Sequence, residues 1–79
     1  MAFEHLNRFQ TIDHLISIKG TGTPKDLARR IRISERSIYG YLQVMKSLGA
    51  PIRYCKSRRS YYYQTDGRFE ISFKEIINS

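Results

Sequence analysis

The chain has 79 residues, 41% of them hydrophobic, and a formal charge of +7. Such a length holds one compact core covering roughly 60% of the unfolded surface, and the apolar share excludes wholesale disorder. No apolar run approaches the roughly 18 residues of a membrane-spanning helix, charges interrupt MAFEHLNRFQ where a signal peptide needs an apolar stretch, and the single Cys55 excludes an intrachain disulfide.

A first helix is predicted over residues 3–19. Leu6, Phe9, Ile12 and Ile16 recur at three- and four-residue steps and form one apolar stripe. Lys19 in the last turn and Gly20 just beyond it are stop signals, and Thr21-Gly22 reads as a short extended link.

The second helix is predicted over residues 23–32. Thr23 can cap the free amides, Pro24 suits the first helical position, and Asp26 completes a short capping box. Leu27, Ala28 and Ile31 face inward, which leaves Lys25, Arg29, Arg30 and Arg32 toward solvent. Ile33 plugs the turn. Ser34 then caps a third helix over residues 34–48, with Glu35 in the first turn where the helix dipole favours a carboxylate.

In this third helix Ile38, Tyr41 or Leu42, Met45 and Leu48 mark the buried stripe, and Gly49 stops it. The outward face is then Glu35, Arg36, Ser37, Tyr39, Gly40, Gln43, Lys46 and Ser47. Two short helices across a tight turn, with polar and cationic residues outward on the second, form the layout of a helix-turn-helix, whose second helix enters the major groove of DNA.

After Gly49 the period changes to that of strands. Ile52-Arg53-Tyr54-Cys55 and Tyr61-Tyr62-Tyr63-Gln64 flank KSRRS, which predicts a hairpin with a basic tip. Asp66-Gly67 is a tight-turn signal leading to a third strand, Phe69 to Phe73, so that the sheet occupies residues 51–73. Residues 74–79 form a tail. No repeat, linker or low-complexity segment divides residues 1–79, and one domain is expected: mainly α with a small antiparallel β-sheet.

The charge is concentrated. Between Lys19 and Arg68 lie twelve cations and three anions, a surplus of nine, whereas the two ends together carry −2. A basic region of this kind attracts polyanions, nucleic acid first and a membrane surface next, or simply keeps the surface solvated.

Three helices followed by a basic hairpin is the order of a winged helix-turn-helix. The stretches TPKDLARRIRISERSIYGYL and LGAPIRYCKSRRSYYY further resemble the small winged helices at the N-termini of DeoR-type and WYL-type bacterial regulators and of biotin repressors. With the preceding helix they cover about three quarters of the chain. The resemblance implies sequence-specific duplex binding and transcriptional regulation. Two departures stand out. Those relatives usually carry an Arg-Asp pair where this chain has Gly40-Tyr41, and they continue into an effector-binding or enzymatic domain. The expectation is therefore a stand-alone cytoplasmic, nucleoid-associated regulator with no sensor domain and no small-molecule effector.

Candidate DNA-binding residues follow from chemistry. Arg36 can fork onto guanine and Gln43 can pair with adenine, with Ser37, Tyr39 and Gly40 beside them near the start and middle of the third helix. Thr23, Lys25, Arg29, Arg30 and Lys46 are placed for phosphates, aided by free amides at the helix start. Lys56, Ser57, Arg58 and Arg59 form a wing tip suited to a narrow minor groove. The competing readings are surface pairing of Arg36 with Glu35 or Asp26, and solvated faces elsewhere.

Tyr61 to Tyr63 could stack bases as in single-strand binders, although strand alternation favours packing of one or two of these rings, with Tyr54, on the helices. His5, His14 and Cys55 show no metal-ligand spacing, and His14 beside Asp13 reads as surface or rim. No nucleophile–base constellation or phosphate loop is present, so neither an enzyme nor a cofactor is expected. Phe69, Ile71 and Phe73, continued by Ile76 and Ile77, either complete the core or form an edge for a homodimer. A winged-helix protein-interaction module is the alternative function.

Overall fold

The computed structural model of the protein describes the backbone of residues 2–69 and the side chains from His5 onward. Helix α1 (Ala2–Ser17), α2 (Pro24–Ile31) and α3 (Glu35–Ser47) precede a two-stranded antiparallel sheet of β1 (Ile52–Cys55) and β2 (Ser60–Tyr63). This is the mainly helical, small-sheet layout of a winged helix-turn-helix. No helix among the described residues is long and apolar enough to cross a membrane.

Each helix boundary has a local cause. At α2 the Thr23 hydroxyl accepts from the Asp26 amide while the Asp26 carboxylate accepts from the Thr23 amide, both at 3.1 Å. At α3 the Ser34 hydroxyl accepts from the Ser37 amide. The helix ends share one backbone device: Gly20 N–H reaches Leu15 C=O, Ile33 N–H reaches Ala28 C=O, and Ala50 N–H reaches Met45 C=O. The residue turning the chain is left-handed in each case, namely Lys19, Arg32 and Gly49. Glycine fills that position only after α3. Gly20 lies one residue beyond the turn, and Arg32 is the C-cap rather than the last helical residue.

The core is formed by Ile12, Leu15 and Ile16 of α1, Leu27 and Ala28 of α2, Ile38, Leu42 and Met45 of α3, and Ile52 and Tyr61 of the sheet. Phe9, Ile31, Ile33, Tyr41, Ala50, Tyr63 and Phe69 pack around it. Leu48, expected in the buried stripe, is instead 65% exposed. It is the C-cap of α3, and the chain turns at Gly49 so that Ala50 and Ile52 take the inward places. Tyr41 and Leu42 do not compete: Leu42 enters the core, and Tyr41 lies against α1. There the Tyr41 ring meets Phe9 edge-on at 4.9 Å, and its hydroxyl pairs with His5 Nδ1 at 2.7 Å and accepts from Arg8 at 3.1 Å.

The register of the hairpin pairs Ile52 with Tyr63, Arg53 with Tyr62, Tyr54 with Tyr61 and Cys55 with Ser60. The second strand thus begins at Ser60, one residue earlier than its tyrosine run suggests, and Gln64 continues the pairing through its N–H to Pro51 C=O. Gly67 lacks the positive φ that a tight type I′ turn requires. Residues 64–69 make an irregular return instead, ending where the Asp13 carboxylate accepts from Phe69 N–H at 2.9 Å. The predicted third strand beyond Phe69, the tail and the proposed dimer edge lie outside the described residues.

Candidate nucleic-acid interface

Two buried polar contacts hold the hairpin on the helices. The link between α1 and α2 is more than a spacer: Thr21 is fully buried at the edge of β2. Its amide donates to Ser60 Oγ at 3.2 Å, and its hydroxyl accepts from the Tyr61 amide at 2.9 Å. Thr21 thereby satisfies an edge amide that would otherwise be buried without a partner. Asp13 is also buried, whereas its neighbour His14 is exposed, as its surface or rim reading from sequence expected. Its carboxylate accepts from the Tyr63 hydroxyl at 2.6 Å, which fastens the end of β2 to α1.

With the hairpin fixed, its first strand borders α3. Tyr54 and Tyr61 meet edge-on at 4.9 Å, and both are electrostatic neighbours of Tyr39 on α3. Partial desolvation, then the Glu35 carboxylate, raise Tyr39 above the ordinary tyrosine value. The Tyr39 hydroxyl donates to that carboxylate across a long 3.4 Å. Burial pushes Tyr61 up to about 12. Farther along the hairpin, the charge of Arg59 is felt at the start of α2. Asp26 is held below the usual carboxylate range chiefly by the Thr23 amide and hydroxyl, with Arg29 and Arg59 adding to the effect. The hairpin is thus electrostatically coupled to α3 through Tyr54 and Tyr39, and to the start of α2 through Arg59 and Asp26.

The outward face of α3 agrees with its sequence reading: Glu35, Arg36, Ser37, Tyr39, Gly40, Gln43, Lys46 and Ser47 are all exposed. Arg36 pairs with neither Glu35 nor Asp26, whose recorded partners are Tyr39 and Thr23. Ser37 is tied into the cap, its hydroxyl accepting from Ser34 Oγ at 2.9 Å. Lys56, Ser57, Arg58 and Arg59 are exposed at the tip, where Arg59 is left-handed.

The start of α2 differs from expectation. The Thr23 hydroxyl and the Asp26 amide satisfy each other, and the Asp26 carboxylate already supplies an anion there, so these amides are not free for phosphate. Arg30 folds back to donate to Gly20 C=O at 3.0 Å, while Lys25 and Arg29 remain exposed.

The tyrosine run separates into distinct environments. Tyr61 is buried, Tyr63 is half-buried and held by Asp13, and Tyr62 is half-buried. Tyr54, expected to pack on the helices, is 37% exposed beside Tyr39, so the solvent-facing aromatic surface lies there rather than along the run. Sequence periodicity missed Tyr54 and the exposed Val44, because both occupy positions an inward face could equally claim. At the base of the tip, Cys55 Sγ lies 3.2 Å from Ser57 Oγ. That contact, then the Arg58 amide, lowers the thiol's pKa, and the Arg58 charge adds to the effect. Among the described residues no cluster of three or more His, Cys, Asp or Glu is placed to hold a metal. No protein-family model, curated protein or solved structure matches the chain.

Proposed function

We propose that the protein binds double-stranded DNA and regulates transcription by occupying its site. The observation that supports this most is the exposure of both the polar and cationic α3 face and the cationic hairpin tip, with Tyr54 of the hairpin acting electrostatically on Tyr39 of α3. In this reading α3 lies in the major groove, Arg36 and Gln43 meet base edges, and Tyr39 touches base or backbone. Lys25, Arg29 and Lys46 bind phosphates, and Arg30 joins them after releasing Gly20. Lys56, Arg58 and Arg59 reach the flanking backbone or minor groove. The resemblance to the winged helices of DeoR-type and WYL-type regulators and biotin repressors supports the same docking. The protein acts in the cytoplasm, and a homodimer reading two half-sites completes the proposal.

Selection from a random duplex pool, followed by titration against salt, tests the proposal. The expected result is an enriched, palindromic motif and an affinity that falls with a log–log salt slope of about −5, corresponding to about six phosphate contacts. Salt-independent affinity, or no duplex binding at low salt, overturns it. A preference for single strands would instead assign the exposed Tyr39 and Tyr54 to base stacking.

A further inference from the structure

Gly40 occupies the interior of α3 without any intramolecular reason. A glycine there lowers helix stability relative to alanine, a cost usually offset where the backbone needs a positive φ or a neighbour leaves no room for a side chain. Neither applies. Its φ is not left-handed, and a Cβ built on it meets nothing within 4 Å. The missing methyl group leaves a notch in the exposed helix face. Arg36, Ser37, Gln43 and Val44 stand three and four residues away and surround it. Helical side chains lean toward the N-terminus, so Val44, 44% exposed, is the apolar side chain directed toward the Gly40 turn.

We propose that this notch receives the C5 methyl group of a pyrimidine in the DNA major groove, thymine or 5-methylcytosine. The inference rests on duplex binding by α3 as proposed above. The fit is one of access and character: the helix backbone at Gly40 is bare, no side chain lies within 4 Å of the missing Cβ, and the exposed, apolar Val44 stands one turn away. A pyrimidine C5 methyl is the apolar feature that the major groove presents. Arg36 and Gln43 flank the notch with polar groups for adjacent base edges, so the glycine sets how closely the helix approaches and which pyrimidine lies beneath it.

The test uses duplexes selected by the unsubstituted protein, with each thymine replaced in turn by deoxyuridine and each cytosine by 5-methylcytosine. Loss of one buried methyl should weaken binding about fourfold at one position per half-site. A uracil penalty assigns the notch to thymine, and a gain with 5-methylcytosine assigns it to that base. Gly40→Ala should raise Tm by about 4–8 °C, keep salt-dependent binding to random duplex, and abolish the methyl effect. Val44→Thr, which keeps the shape but exchanges a methyl for a hydroxyl, should reduce it. Duplex binding with no methyl effect at any position, or an unchanged effect in Gly40→Ala, overturns the notch alone. Absence of duplex binding by the unsubstituted protein overturns both the proposed function and the notch.

Discussion

The hydroxyl of Tyr63 donates to the carboxylate of Asp13 at 2.6 Å, joining the last residue of β2 to the C-terminal part of α1. The same Asp13 oxygen accepts from Phe69 N–H, so a single buried carboxylate holds both the hairpin and the chain that leaves it. Tyr63→Phe removes one of these donors while conserving the ring. Hydrogen bonds to charged groups contribute about 1.5–3 kcal/mol, and a loss of that size in urea unfolding is the expected outcome. A loss below about 0.5 kcal/mol would show that Asp13 is held equally well without the phenol.

The same residue governs the alkaline limb of stability. Burial first, and then the hydrogen bond and charge of Asp13, push Tyr63 above its ordinary value, while burial takes Tyr61 to about 12. Both groups bind their protons more tightly when folded, so their contributions are fully present below about pH 10, the unfolded value. These contributions are lost as pH rises through the folded values. Urea midpoints should therefore fall above about pH 10, and fall less steeply in Tyr63→Phe than in the parent protein.

Thr21 and Ser60 form the second attachment of the wing. Ser60→Ala leaves the buried Thr21 amide without its acceptor, at an expected cost of about 1–3 kcal/mol. Thr21→Val keeps the shape but removes the acceptor for the Tyr61 amide, and should cost a similar amount. Because Thr21, Ser60 and Tyr61 share one network, the double variant should lose less than the sum of the two single losses. Additive losses in thermal or urea unfolding would show that the contacts are independent.

Duplex binding should separate specificity from general attraction. Arg36→Ala is expected to cost about 1–3 kcal/mol on the selected site and to relax preference at one base pair. Substituting Arg58 and Arg59 together by alanine should weaken selected and random duplexes alike and reduce the salt slope by about 2. Quantitative mobility shifts over a salt series distinguish the two patterns.

Cys55 provides a chemical probe of the wing. With its pKa lowered by Ser57 and by the Arg58 amide and charge, the folded protein should be alkylated by iodoacetamide faster at neutral pH than the urea-unfolded chain. Ser57→Ala should slow the reaction toward the unfolded rate, and bound duplex should protect the thiol. Equal rates in the folded and unfolded protein would count against an activated thiol.

Local order was legible from the sequence because its causes act over a few residues. Thr23 with Asp26, and Ser34 with Ser37, cap their helices through bonds spanning three residues, and the basic hairpin follows from composition and alternation. The outward face of α3 was legible too, since helical periodicity that buries Ile38, Leu42 and Met45 turns Arg36, Gly40 and Gln43 to solvent. Arg30 was less legible: its exposure agreed with the pattern, but its hydrogen bond to Gly20 did not follow from it.

Among the described residues the sequence by itself thus determined the element types and, to within two residues, their boundaries, together with the concentration of positive charge from Lys19 to Arg68. Only the tertiary structure decided that Asp13 and Thr21 are buried, that Leu48 is exposed, that Tyr41 turns to α1, and that the Arg59 charge acts on Asp26. The partners of the two buried polar residues lie 39 to 56 positions away. Capping and periodicity arise from neighbours on one helix or strand. Which distant donor satisfies a buried carboxylate or hydroxyl is settled only when the hairpin packs onto the helices.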